Sequence, residues 1–281
     1  MYNNHNCAVP SRGQYMYKLA VLGNPIEHSL SPLVFTLFAK QFGLELIYDK
    51  VLATNEADFK SQIKTLFADG YIGVNVTSPF KNAAYNCTPY HTIRSQFCCT
   101  ANFLYIDKDC KLISDTTDGI GILTDIKNNK KIDLKDKKIL FIGSGYVVDS
   151  ILLDFIVENP NCIDILARNQ KRVDYLQYKF CIGDFSSNKY YDLIINTSPN
   201  RSDNQLFDQI KHVDINTFCY DLSYHRGIFL DKCSMLNQYA VTYSGIGMLV
   251  EQAAVAFKFL FGHTPDTNIV IQELLNRGYN G

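Results

Sequence analysis

Short runs rich in Val, Ile, Leu and Phe recur along this chain, each followed by a run with apolar residues at helical spacing. That alternation constrains the fold more than any other feature. It predicts an α/β protein built on parallel sheets. "YKLAVLG" (17–23) reads as a first strand ending on glycine, and "SPLVFTLFAKQFG" (31–43) as a helix with Pro32 in its first turn and Gly43 at its end. "LIYDKVLA", "EADFKSQIKTLFADG" and "IGVNVT" continue as strand, helix and strand. From about residue 119 the texture changes: "GIGILTDIKNNKKIDLKDKK" reads as a helix and a charged connector. "ILFIGSGYVVDSILLDFIV" then opens a second unit with a buried strand, a Gly-x-Gly turn and an apolar helix. Strands follow at "CIDILAR", "YDLIINTS" and "NTFCYDLSY", and "GMLVEQAAVAFKFLFG" is one long apolar helix.

A length of 281 residues accommodates two ordinary domains, and 47% apolar with 20% charged residues is the profile of a globular protein with a sizeable core. The net charge of -1, with no dense basic stripe, predicts no nucleic-acid partner. No apolar run reaches the roughly 18 to 20 residues that cross a bilayer, so no membrane association is expected. The polar amino terminus, residues 1–16, has no signal-peptide core and is expected to be a loose extension. Nine scattered cysteines, none spaced C-x-x-C, predict neither a disulfide framework nor a metal site, and imply buried thiols in a reducing cytoplasm.

The Gly-x-Gly turn fits a pyrophosphate at a helix amino terminus, because glycines permit both the tight turn and close approach of backbone amides. The next strand ends "ILARNQKR", where a dinucleotide fold inspects the adenosine ribose. An acidic residue there would favour NAD, whereas Arg168, Lys171 and Arg172 suit a 2′-phosphate, hence NADP. A solvated basic turn is the plainer alternative.

Three segments are unusually polar at the ends of apolar elements. "GNPIEHSLSP" offers Ser29 and Ser31, "NVTSPFK" offers Asn75, Thr77 and Lys81, and "SDTTDGIG" offers Asp118. Downstream, Gln252 sits in "GMLVEQAA". Hydroxyls, amides, an amine and a carboxylate are the groups that hold a small polyhydroxylated acid. Each also has a structural explanation: the serines cap a helix, Asp118-Gly119 is a turn, Gln252 is exposed.

Together, "NVTSPFK" and "GMLVEQAA", supported by "GNPIEHSLSP", "TDGIG" and "YDLSY", resemble the shikimate dehydrogenase family from about residue 17 onward. The resemblance implies an α/β fold of two domains flanking a cleft: an N-terminal substrate-binding domain, 1–118 plus 246–281, and a Rossmann-like NADP-binding domain, 119–245. It implies NADP-dependent interconversion of 3-dehydroshikimate and shikimate, on the route to chorismate and aromatic amino acids, by a cytoplasmic monomer or homodimer. By position, Lys81 and Asp118 become the catalytic pair, and Ser29, Ser31, Thr77, Asn102, Tyr224 and Gln252 join them in contacting substrate. Gly143, Ser144, Gly145, Tyr146, Val147, Ala167, Arg168, Asn169, Arg172, Leu222 and Gly245 line the cofactor site.

The chemistry suits those residues. Oxidising a secondary alcohol needs a general base, and reducing the ketone needs an acid. A lysine ammonium can polarise and protonate a ketone, so Lys81 takes the acid/base role and Asp118 an orienting one. The resemblance further implies, from Ser31 and the Arg168 cluster, shikimate and NADP rather than quinate and NAD. A quinate/shikimate dehydrogenase using NAD, and a non-catalytic ligand-binding relative, are the two alternatives. The chain departs from the family at "GSGYV", where Gly-Ala-Gly-Gly-Ala is usual, at "ARN" in place of Asn-Arg-Thr, at Phe103 in place of threonine, and at Thr116 in place of asparagine.

Overall fold

The computed structural model describes residues 16–198, 205–224 and 227–279, so the expected loose extension lies, up to residue 15, outside the described residues. The chain divides into two compact units, 1–117 with 253–270 and 118–252 with 271–281.

In the first unit, β1 (Tyr17–Gly23) leads to α1 (Ser31–Gln41), β2 (Leu46–Leu52), α2 (Glu56–Ala68) and β3 (Gly73–Val76). A short helix α3 (Lys81–Tyr85), β4 (Tyr90–His91), α4 (Ile93–Cys98), β5 (Phe103–Ile106) and β6 (Leu112–Asp115) complete its sheet, ordered β2-β1-β3-β5-β6-β4. The expected parallel pairing holds for β1 with β2 and β3 and for β4 with β6, but β5 runs antiparallel to both β3 and β6. The cause is local. Only five residues join β5 to β6, with Cys110 at φ 59, and so short a link cannot make a parallel crossover.

Its core is aromatic. Phe59 stacks on Phe80 at 5.0 Å, within a cluster holding Ile63, Val74 and Val76. Phe35, Phe38 and Phe257 form a second group, with Phe38 meeting Phe257 edge-on at 5.5 Å. Aromatic pairs at such separations add about 0.5–1.5 kcal/mol beyond their area.

The second unit begins with α5 (Asp118–Thr124), which continues through a π-helical turn, Asp125–Asn129. There follow β7 (Lys138–Ile142), α6 (Tyr146–Phe155), β8 (Cys162–Leu166), α7 (Gln170–Phe180), β9 (Gly183–Asp184), β10 (Leu193–Asn196), β11 (Phe218–Asp221), α8 (Ile228–Leu236) and β12 (Val241–Tyr243). The sheet order β12-β11-β10-β7-β8-β9 is wholly parallel. Renumbered within the unit, that is the 3-2-1-4-5-6 order of a dinucleotide-binding fold, with its switch point between β7 and β10. Ile139, Phe141, Leu193 and Ile195 are fully buried, as a sheet covered on both faces requires. The last helices are α9 (Ile246–Phe261) and α10 (Thr267–Asn276).

The thiols are less uniform than expected. Cys98, Cys219 and Cys233 are buried, but Cys99 and Cys181 are exposed and Cys110 is disulfide-bonded. Among the described residues, no helix is long and apolar enough to cross a membrane, and no His/Cys/Asp/Glu group is placed to hold a metal ion.

Candidate active site

In the first unit the polar groups gather where β1 and β3 end and β5 begins. Ser29 and Ser31 do not cap α1 as expected. The N-cap is Leu30, with no side-chain cap bond, and the two hydroxyls lie 3.3 Å apart, bonded to each other. Ser31 is buried and Ser29 half-buried. Gly23 closes β1 against Thr77, whose methyl would collide with any Cβ there, and Thr77 N–H donates to the Leu22 carbonyl at 3.0 Å. The Phe80 N–H then turns back to the Thr77 carbonyl at 3.1 Å, which starts α3 at Lys81. Both loops pass through cis-prolyl bonds, Asn24-Pro25 and Ser78-Pro79. The Lys81 backbone carbonyl accepts from Ala101 N–H at 2.9 Å, so α3 is tied to the segment that carries Asn102 into β5.

Asn102 is 4% exposed, and both ends of its amide bond Thr117: Oδ1 accepts from the backbone N–H at 2.8 Å and Nδ2 donates to Oγ1 at 3.0 Å. Phe103 supplies no hydroxyl. It is buried and stacked on Tyr105 at 5.1 Å. Thr116 is buried as well, and its hydroxyl finds no partner. Asn75 accepts from the Tyr48 phenol at 2.7 Å, a link between β2 and β3 that sequence reasoning did not single out.

In the second unit, the two glycines of "DGIG" explain how Asp118 is seated. A Cβ at Gly119 would collide with the Ser150 carbonyl of α6, and one at Gly121 would lie 2.6 Å from the Gln252 Cβ of α9. Helix α5 therefore touches α6 on one side and α9 on the other, with Asp118 buried in its first turn. Asp118-Gly119 is thus a helix start rather than a turn. Gln252 is buried, not exposed, and donates to the Leu249 carbonyl at 2.9 Å. Tyr224 belongs to the same neighbourhood: burial, with the nearby Asp118 carboxylate, pushes its phenol up to about 12.

The glycine turn lies at the switch point. Gly143 has φ 105, a conformation that favours glycine, and a Cβ there would lie 2.6 Å from Thr197 Oγ1 on the loop after β10. Gly145 caps α6 with ordinary backbone angles, and the place its Cβ would occupy is open to 4 Å. The bulk of "YV" is turned aside: Val147 packs on the core, and the exposed Tyr146 ring faces the Arg172 guanidinium at 5.3 Å. Gly245 approaches Leu222 so closely that a Cβ would strike its carbonyl. Asn196 and Asp221, buried at the ends of β10 and β11, bond each other at 3.2 Å, and Asp221 accepts from Ser223 N–H at 2.9 Å. Neither was anticipated, although a polar residue closing an apolar strand was the available signal.

At the end of β8, Ala167 packs on the core, Arg168 and Lys171 are exposed, and Asn169 caps α7 by accepting from Arg172 N–H at 3.2 Å. Arg172 also donates from Nε to the Ser144 carbonyl at 3.1 Å and pairs with the buried Asp149. An open-sided glycine turn backed by a helix amino terminus, beside exposed basic side chains, fits a phosphorylated dinucleotide.

Residues 21–104 match the family described as shikimate dehydrogenase substrate binding domain, and residues 245–275 match shikimate 5'-dehydrogenase C-terminal domain. A shikimate dehydrogenase (NADP(+)) of Ruthia magnifica subsp. Calyptogena magnifica is 37% identical over 92% of this chain and 99% of its own length. The crystal structure of an Ael1 enzyme from Pseudomonas putida is 29% identical, covers 92% of this chain and 98% of its own, and superposes with a TM-score of 0.82. A Thermus thermophilus shikimate 5-dehydrogenase in complex with NADP(H) and shikimate, 24% identical over 93% of this chain and 99% of its own, shares the fold with a TM-score of 0.80. With that identity over nearly the whole of a curated relative, the chain belongs to the shikimate dehydrogenase family.

Proposed function

We propose that this chain catalyses the reversible, NADP-dependent reduction of 3-dehydroshikimate to shikimate. The observation that carries the reading is the open glycine turn at the switch point, with Arg168 beside it, in a chain 37% identical to a shikimate dehydrogenase (NADP(+)). When bound, the nicotinamide supplies the hydride donor or acceptor.

The protein's own groups handle the proton. In the reducing direction the Lys81 ammonium polarises the ketone and gives its proton to the forming alkoxide; in the oxidising direction the amine takes the hydroxyl proton. Asp118 orients the reacting hydroxyl. Ser29, Ser31, Thr77, Asn102, Tyr224 and Gln252 hold the carboxylate and ring hydroxyls. Gly143 to Val147, Ala167 to Asn169, Arg172, Leu222 and Gly245 line the nucleotide. Residues 1–118 with 246–281 serve the substrate and 119–245 the cofactor. The enzyme works in the cytoplasm as a monomer or homodimer, without metal.

The test is spectrophotometric. Purified protein given 3-dehydroshikimate is expected to oxidise NADPH, and Lys81→Ala to abolish turnover while shikimate still binds. Reduction of NAD+ by quinate, with no NADPH oxidation in the presence of 3-dehydroshikimate, would replace this reading with the catabolic one.

A further inference from the structure

Asp118, Gly121 and Asp125 stand at i, i+3 and i+7, on one face of α5 and the π-helical turn that continues it. That face meets the start of α9 through two glycines, one on each helix. A Cβ at Gly121 would lie 2.6 Å from the Gln252 Cβ, and one at Gly247 would strike the Asp125 carboxylate. That carboxylate is fully buried. Its Oδ2 accepts from the Tyr220 phenol at 2.8 Å and its Oδ1 from Asn129 Nδ2 at 2.8 Å, with Lys130 Nζ 3.9 Å away. Tyr220, also fully buried, accepts in turn from the Met248 N–H at 3.2 Å, a first-turn amide of α9 that no carbonyl within the helix can serve. Asn129 Nδ2 donates to Glu251 Oε1 as well, at 3.0 Å. One carboxylate thus reaches α9 at Gly247, Met248 and Glu251, the stretch that leads into Gln252.

We infer that Asp125 is a positioning residue: through Tyr220, Asn129 and the Gly247 seat it fixes the first two turns of α9, and so sets Gln252 against the helix that starts at Asp118. Packing alone does not call for a charge here, since well-packed apolar groups in place of a buried ionic one are often neutral or stabilising. What the carboxylate adds is direction. Its two oxygens bond partners on different elements, and those bonds set the separation of α5 from α9. The inference rests on reading Asp118 and Gln252 as substrate contacts.

Calorimetric titration of the full chain with shikimate, read beside kcat for NADPH-dependent reduction of 3-dehydroshikimate, tests the link. Tyr220→Phe removes one hydroxyl and keeps the ring. It is expected to weaken shikimate about fivefold and to lower kcat about tenfold. Asp125→Asn sets an amide donor against that of Asn129 and is expected to lose at least as much. Because both act through one link, the double variant is expected to lose no more than Asp125→Asn alone, within about twofold. Phe207→Leu, in the apolar cluster on the opposite face of the sheet, lowers the melting temperature without touching the link, and is expected to leave both constants within about twofold of wild type. Melting curves identify any variant that does not fold, and Tyr220→Phe, the milder change, then carries the test. Affinity and kcat within about twofold of wild type in folded Tyr220→Phe, losses that multiply in the double variant, or equal losses in Phe207→Leu would each overturn the assignment. Wild-type protein that does not bind shikimate would instead overturn the reading of the substrate site, and this inference with it.

Discussion

The Asn102 side chain clasps Thr117 from both ends of its amide, accepting from the backbone N–H at 2.8 Å and donating to the hydroxyl at 3.0 Å. Thr117 is the residue immediately before Asp118, the candidate orienting carboxylate. Asn102→Ala leaves the Thr117 N–H buried without that partner, at a cost of about 1–3 kcal/mol. A lowered melting temperature is expected, together with a fall in kcat that exceeds any rise in KM for shikimate. An unchanged kcat would show that Asp118 is held by other contacts.

The glycines divide into two kinds, and alanine substitution distinguishes them. Gly121→Ala drives a methyl into Gln252 and is expected to destabilise by about 1–3 kcal/mol, measured by chemical denaturation. Gly145→Ala meets open space at ordinary backbone angles, so stability is expected to stay within about 0.5 kcal/mol. Its effect belongs to binding: a several-fold weaker affinity for NADP+, read by calorimetry. Loss of stability in Gly145→Ala would make that glycine a structural one.

Much of this arrangement was legible beforehand. Strands β7, β8, β10 and β11 announced themselves as short apolar runs, whereas β9 and β12 did not, and the Gly-x-Gly turn marked the start of α6. The polar ends of β1 and β3, with Lys81, stood out because apolar elements rarely end on so many hydroxyls and amides. The β5–β6 hairpin was harder to see, since its strands have four residues each and a charged linker. Helix α10 was missed beside the stronger apolar run of α9. The bond between Ser29 and Ser31 mimicked a capping pattern, and only the backbone shows that Leu30 holds the cap position. The Arg172–Asp149 pair joins side chains 23 positions apart on different helices, a separation that no local pattern reveals.

Thr116 offers a contrast with its neighbours. Its hydroxyl is buried with no partner, whereas the adjacent Thr117 is fully engaged with Asn102. Removing an unsatisfied polar group while keeping its shape is neutral or favourable. Thr116→Val is therefore expected to melt at the same temperature as the wild type or a few degrees higher. A loss of more than about 1 kcal/mol would mean that the hydroxyl has a bonding role.

Alkaline titration reports on Tyr224. Its phenol ionises at about 12 in the folded chain against 10.0 for the ordinary group, through burial and the Asp118 carboxylate. A raised value makes the folded state unfavourable for the phenolate. The stability linked to this group is present below pH 10 and lost as pH climbs from 10 to 12. Tyr224→Phe is expected to shift alkaline unfolding to higher pH while leaving the shape of the rate profile below pH 10 unchanged. An ionisation below 10 that disappears in this variant would contradict the assignment.

The most direct measurement is the rate of NADPH oxidation by the purified chain in the presence of 3-dehydroshikimate, with Lys81→Met run alongside. Steady turnover by the wild type is expected, with a drop of about a thousandfold or more in the variant, while shikimate binding by calorimetry changes by less than about fivefold. Turnover that survives the loss of the Lys81 amine would show that the proton travels by another group.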